Sequence, residues 1–291
     1  MRLLISGAGG LLGRALVKIA TEQGHSFSAL DRANFVMSLS NYDAIDACFH
    51  GIDHFIHAAA NTDVESCEEN PAACYRDNLL LTDLLAAGAQ RCGVPMTFIS
   101  STGVYGNHQT TPWAEYDDAH PTTHHHRSKL LGEEKVMATN ISNLVVRTGW
   151  LFGGEPQATK NFVAKRILEA YTSESGFMKS NDQQRGCPTF VNDLAVRIFD
   201  LIAQRASGVF NVVNSGSASR FQYVQEIITQ IGLAIEVRPV MAGDFNRLAP
   251  VSNNEVALNW RADSFGMTPM RSWEEALADY LTTFDMKALI R

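Results

Sequence analysis

The chain has 291 residues, enough for one large α/β domain or for a nucleotide-sized domain with a smaller lobe. Hydrophobic residues make up 45% and charged residues 19%, ample for a core, and no stretch approaches the ~18 apolar residues of a membrane span. Lys and Arg number 24 against 31 Asp and Glu, a formal charge of -7, and no basic run tracks a phosphate backbone. Nucleic acid and an anionic membrane are therefore not expected as partners; a small diffusible molecule is. The five cysteines, Cys48, Cys67, Cys74, Cys92 and Cys187, form no C-x-x-C pair, which indicates neither a disulfide framework nor a zinc ribbon and fits reduced thiols in a cytoplasm. Met1 leads at once into an apolar strand, without the features of an export signal.

In chain order the spacing predicts a strand at 3–5, a helix at 11–20, a strand at 27–30, a strand at 54–56, a helix at 79–89, a strand at 96–99, a helix at 130–138 and a strand at 144–146. Alternation of this kind is the pattern of a doubly wound α/β fold, a parallel sheet covered on both faces. After Trp150 the pattern loosens through Gly153-Gly154-Glu155-Pro156, a helix-like stretch at 162–171 and a polar segment at 180–186. A strand at 209–213 and helices at 223–231 and 273–281 then predict a smaller α+β lobe. The expected division is a Rossmann domain at 1–152 and a substrate lobe at 153–291, with part of 190–214 free to rejoin the large sheet.

The first strand runs into Gly7-Ala8-Gly9-Gly10-Leu11-Leu12-Gly13 and then into a helix. One glycine allows the tight strand-to-helix turn, a second lets backbone approach a pyrophosphate, and a third lets helix pack on strand, with the helix N-terminus facing phosphate charge. Three glycines alone are a weak signal; their placement here, with Asp31 closing the second strand, makes a dinucleotide site the reading. Asp31 suits the adenosine ribose hydroxyls of NAD, while the adjacent Arg32 suits the 2′-phosphate of NADP. The pair leaves NAD or NADP open.

Further motifs follow: His57-Ala58-Ala59-Ala60, Thr62-Asp63-Val64-Glu65 with Glu68, Asn78, and Ser100-Ser101-Thr102-Gly103-Val104-Tyr105-Gly106. The second half adds Arg147-Thr148-Gly149-Trp150, Asn161-Phe162, Gln184-x-Gly186-x-Pro188-Thr189, Asp193-Leu194-Ala195 and Gly208-Val209-Phe210. Together these resemble the extended short-chain dehydrogenase/reductases, and among them the dTDP-4-dehydrorhamnose reductase family. The resemblance implies a nucleotide domain, a sugar-nucleotide lobe and reduction of a 4-keto sugar by NADPH or NADH. It implies cofactor contacts from Gly7, Gly10, Leu11, Leu12, Asp31, Arg32, Ala58, Ala59, Ala60 and Lys129, substrate contacts from Thr62, Ser101, Thr102 and Trp150, and a homodimer.

The family's catalytic Tyr-x-x-x-Lys stacks its two side chains on one helix face. Here Ser128-Lys129-Leu130 continues the family pattern, so Lys129 takes the lysine position, but His125 stands four residues before it. Imidazolium has a reference pKa of about 6.5 against about 10 for tyrosine, and its ring nitrogen falls roughly 2 Å short of a phenolic oxygen, which brings in a bridging water or another donor. Tyr105, Tyr116, His124 and His126 stay open as donors. Other departures are Ser38 ahead of Leu39, Gly103 where an aromatic is expected, Gln183 for an aspartate, and Ala249-Pro250 for an Arg-Pro, with Arg247 a displaced substitute. Consecutive histidines point about 100° apart on a helix and do not converge on one metal ion. The expectation is an NAD(P)-dependent reductase with a Ser101, His125, Lys129 site. A cofactor-binding scaffold without catalysis, or a sugar-nucleotide epimerase or dehydratase, are the alternatives.

Overall fold

A computed structural model describes residues 1–30, 42–158, 160–286 and 289. Asp31, Arg32, Ser38 and Leu39 lie outside the described residues. The large sheet contains β1 (Arg2–Ser6), β2 (Ser26–Leu30), β3 (His54–His57), β4 (Met96–Ser101), β5 (Leu144–Thr148) and a late edge strand. Between them come β6 (Leu151–Phe152), β7 (Phe177–Asn181), β8 (Arg185–Gly186) and β9 (Thr189–Phe190) of the smaller lobe, and the late strand is β10 (Gly208–Asn211). Strand order is β10-β5-β4-β3-β1-β2, with every pairing parallel.

The apolar runs seen in the sequence are buried on both faces, as a parallel sheet with helical crossovers requires. Leu3 and Ile5 point to one layer, with α1 (Leu11–Glu22) and the Leu194 and Ile198 side chains of a later helix. Leu4 points to the other, with Phe55, Leu85, Phe98, Val136 and Val145. That alternation is the period of two of an extended strand, and each such side chain contributes about 1.5–3 kcal/mol by leaving water. The second layer is made by α2 (Tyr42–Ala47), α3 (Val64–Glu69), α4 (Pro71–Tyr75), α5 (Leu81–Arg91) and α6 (His124–Thr139). A single π-turn at Arg76–Leu80 joins α4 to α5.

The smaller lobe holds α7 (Phe162–Thr172), α9 (Arg220–Gln230) and α11 (Trp273–Thr282) around an aromatic cluster of Trp150, Phe152, Tyr223, Trp273 and Tyr280. Its sheets are β11 (Ala218–Ser219) with β8 and β13 (Asn254–Glu255), β12 (Glu236–Val240) with β7, and β6 with β9. Between them the chain returns to the large domain: α8 (Val191–Ala203) packs on α1, β10 closes the sheet edge beside β5, and α10 (Trp260–Ser264) packs on β10. The polar segment at 180–186 is partly strand, because its backbone pairs with β11, β12 and β13, while Asp182, Gln183 and Arg185 are exposed and Gln184 lines the cavity. Among the described residues no helix is long and apolar enough to cross a membrane.

Candidate active site

A cavity of about 910 Å³ opens at the carboxyl ends of β1, β3, β4 and β5 and runs under the smaller lobe, the place where open α/β sheets hold ligands. Gly7 to Gly13 form one wall. Gly7 has φ +71, and a side chain there would press on the backbone of Ala58 and Ala59, while one on Gly13 would overlap the Gly7 carbonyl. Gly10 caps α1 without any side-chain hydrogen bond, and the first turn of α1 carries no acidic residue. Free backbone N–H groups and the positive helix end therefore face the cavity, a fit for a pyrophosphate. Leu11, Leu12, Ala58, Ala59 and Ala60 line the same wall.

The opposite wall begins where Thr123 caps α6, its hydroxyl oxygen accepting from the His126 N–H. One turn of this helix brings His125 and Lys129 to the cavity, and Ser101 reaches it from the end of β4. Nδ1 of His125 donates to the Asn61 carbonyl at 3.0 Å; a carbonyl only accepts, so the neutral ring turns a lone pair at Nε2 toward the cavity. Asn61 is held in turn, its N–H donating to Asn78 Oδ1 at 2.7 Å and its carbonyl accepting from Asn78 Nδ2 at 3.1 Å. Ser128 accepts from Asn78 and donates to the His125 carbonyl at 2.7 Å. Burial, then the neighbouring His126 and Lys129, push the His125 pKa well below its ordinary value. Burial also lowers the Lys129 ammonium to about 8, against the pull of Glu133, and its Nζ lies 4.2 Å from the Phe98 ring centre. Ser101 Oγ accepts from the Gly103 N–H at 3.2 Å, which leaves its proton for a ligand.

Thr62 and Trp150 line the cavity. Trp150 does so from a left-handed backbone, φ 50. Thr102 does not line it: the residue is buried in the turn after β4, beneath Gly149. The open donor positions separate as well. Tyr105 is buried against Trp113 and its hydroxyl donates to Asn211 at 2.7 Å, Tyr116 is 68% exposed, and His124 turns to Tyr75 and Glu68. Only His126 of that set joins His125 at the cavity. The cavity also takes Asn61, Lys160, Gln184, Arg220 and Glu255, none singled out as a contact in the sequence. Asn61 directly follows the alanine run and was within reach of that pattern; Arg220 and Glu255 come from distant elements of the smaller lobe, and no local spacing marks them.

The whole-chain comparisons agree with this geometry. The family model described as RmlD substrate binding domain matches residues 1–286. The chain belongs to that family. A dTDP-4-dehydrorhamnose reductase of Mycobacterium tuberculosis is 32% identical over 286 residues, 96% of this chain and 92% of that protein. The spore coat polysaccharide biosynthesis protein SpsK of Bacillus subtilis is 28% identical, with 96% of each chain covered. Among solved structures, the dTDP-4-dehydrorhamnose reductase of Bacillus anthracis in complex with NADP superposes with a TM-score of 0.90 at 26% identity, over 97% of this chain and 99% of that one. The reductase of Clostridium acetobutylicum gives the same TM-score and coverage at 29% identity. This RmlD-family chain is thus an NAD(P)-dependent oxidoreductase on a Rossmann-type fold.

Proposed function

We propose that this chain reduces the keto group of a nucleotide-linked sugar, a dTDP-4-keto-6-deoxyhexose, through Ser101, His125 and Lys129. The observation that carries the reading is that these three side chains share one cavity with the Gly7 to Gly13 loop. NADPH or NADH, bound along that loop, would supply hydride to the carbonyl carbon. Ser101 donates a hydrogen bond to the carbonyl oxygen and stabilises the charge that grows on it. Lys129, still mostly protonated at neutral pH with its pKa at about 8, donates to ribose hydroxyls and fixes the carbonyl against the hydride donor.

His125 returns the proton. Its ring sits in the tyrosine position, its Nδ1 is tied to Asn61, and only the imidazolium carries a proton at Nε2. Proton delivery to the alkoxide, directly or across one water, therefore needs the protonated ring. Because burial lowers the His125 pKa, that form is scarce at neutral pH and grows as pH falls. Arg220, 3.5 Å from the Trp150 ring centre, and Lys160 supply positive charge for a substrate diphosphate at the lobe side of the cavity. Arg220 stays charged at neutral pH, its pKa lowered by burial only to about 10.

Cofactor deuterated at the transferring position, incubated with a dTDP-4-keto-6-deoxyhexose, should leave one deuterium on the C4 carbon of the product sugar, read by mass spectrometry. No label and no cofactor oxidation across keto sugars would sink the reading. A silent parent with an active His125→Tyr variant would instead identify a cofactor-binding protein that has lost turnover.

A further inference from the structure

Two cavity side chains take no part in that scheme, and both carry unsatisfied hydrogen-bonding groups. Glu255, in β13, is 7% exposed and lines the cavity. Among the described residues its carboxylate has no hydrogen-bond or salt-bridge partner. Arg220 does not neutralise it by contact: that guanidinium lies on the Trp150 ring and its Nε donates to Gln184 Oε1 at 3.4 Å. A carboxylate that faces a ligand cavity without a hydrogen-bond partner on the protein is explained by a donor that arrives with the ligand.

His126 is 5% exposed and lies on the same cavity. Its ring packs on Gly103, where any side chain would overlap Cε1 and Nε2. Glycine at 103 is what lets the imidazole take that space. Nδ1 lies 3.1 Å from Thr123 Oγ1, and that oxygen already accepts from the His126 N–H at 3.2 Å. With the threonine proton donated to Nδ1, the neutral ring carries its own proton on Nε2. In that tautomer the two adjacent histidines are set oppositely, His125 with a lone pair toward the cavity and His126 with a donor. Glu255 stands on the same side: its Oε2 lies 3.8 Å from the point where a Gly149 side chain would begin, and Gly149 also lines the cavity. It is close enough to His126 to act on its charge.

We infer that Glu255 and His126 form a hydroxyl-reading subsite for the sugar ring, the carboxylate accepting from and the imidazole Nε2–H donating to hydroxyls beside the reacting carbon. The inference rests on the reductase reading and adds a substrate preference to it. Sites built around a hydroxyl reject the analogue that lacks it far more strongly than apolar pockets reject an extra group, because the protein's polar groups are then left unpaired.

The test compares kcat and KM for a dTDP-4-keto-6-deoxyhexose and its 3-deoxy counterpart, with NADPH affinity followed separately by fluorescence. The parent should favour the hydroxylated sugar by about tenfold or more in kcat/KM, mostly through KM. Glu255→Leu should bring the two sugars to within about threefold of each other, and His126→Phe, which keeps the ring on Gly103 but removes the donor, should move the same way. NADPH affinity should stay as in the parent. Should Glu255→Leu fail to fold, Glu255→Gln is read in its place and should show an intermediate preference. A parent that reduces both sugars equally well, or folded variants that keep the parent's preference, would overturn the subsite and leave the reductase reading intact. A parent that reduces neither sugar overturns both.

Discussion

At the residue scale the proposed chemistry turns on a histidine that burial keeps neutral next to a lysine whose pKa burial lowers to about 8. The sequence placed His125 and Lys129 one turn apart, and the helix indeed carries both to the cavity. It did not disclose the tautomer, because that is set by Asn61 and Asn78, residues whose partners are fixed by the loop after β3 rather than by spacing along α6. Nor did it disclose that Tyr105 and Tyr116 are elsewhere: Tyr105 follows Ser101 by four residues, but the turn after β4 sends its ring into the core. Replacing Lys129 by methionine should lower kcat/KM by about 10²-fold and raise the KM for NADPH, measured by steady-state kinetics. His125→Tyr should give a donor whose pKa lies nearer 10 than 6.5, so its rate at about pH 8 should exceed the parent's and its dependence on acid should disappear. Equal rates for parent and variant at that pH would assign the proton to another group.

At the scale of elements the glycine loop was fully legible, since a strand, three spaced glycines and a helix state their own geometry. The structure adds which glycine is least replaceable. Gly13→Ala would drive a methyl group into the Gly7 carbonyl, so it should destabilise the fold by roughly 1–3 kcal/mol and weaken NADPH binding, read by denaturant unfolding and fluorescence titration. Beneath the loop runs a chain of hydrogen bonds that no motif announces. The Ala59 N–H donates to Ser6 Oγ at 3.2 Å, Ser6 meets His57 Nδ1 at 2.6 Å, and His57 Nε2 meets Thr82 at 3.0 Å. His57 was visible as the start of the alanine run, but its role as the post under that run comes from β1 and α5, which meet it only in three dimensions. Burial lowers His57 to about 3 and His54, bonded to Thr97 at 2.8 Å, to about 4.

Those two histidines set a property of the whole molecule. Their folded pKa values lie below the unfolded value of about 6.5, so between those limits the unfolded chain binds more protons than the folded one. The stability they leave intact is full above about pH 6.5 and is lost as pH falls through the window down to 3 or 4. Urea midpoints should therefore drop steadily between about pH 7 and 4.5, and midpoints that hold constant would show that the histidines are not neutral in the fold. Across the cleft, Arg14 pairs with Glu155, Asp63 with Lys160, and Glu65 with Arg247 and the N–H groups of Leu248 and Ala249. Exposed ion pairs of this kind are worth about 0–1 kcal/mol each. Glu65→Ala should thus leave thermal stability nearly unchanged while raising the KM for the sugar, because the 247–249 segment it grips brings Arg247 to the cavity.

The alternation of strands and helices in the first half made the doubly wound sheet readable, and the return of α8 and β10 to it was left open by the same apolar runs. The smaller lobe was less legible because its strands are two to five residues long and are defined by backbone pairing across long separations. For the same reason its cavity residues Arg220 and Glu255 carry no local signature.

The most direct test of the central claim is the single-turnover rate of NADPH oxidation with a dTDP-4-keto-6-deoxyhexose, followed between about pH 5 and 8. With His125 returning the proton from the tyrosine position, the rate is predicted to fall as pH rises, since the imidazolium is depleted. A rate that is flat or rising across that range, or an absence of oxidation at every pH, would contradict the account.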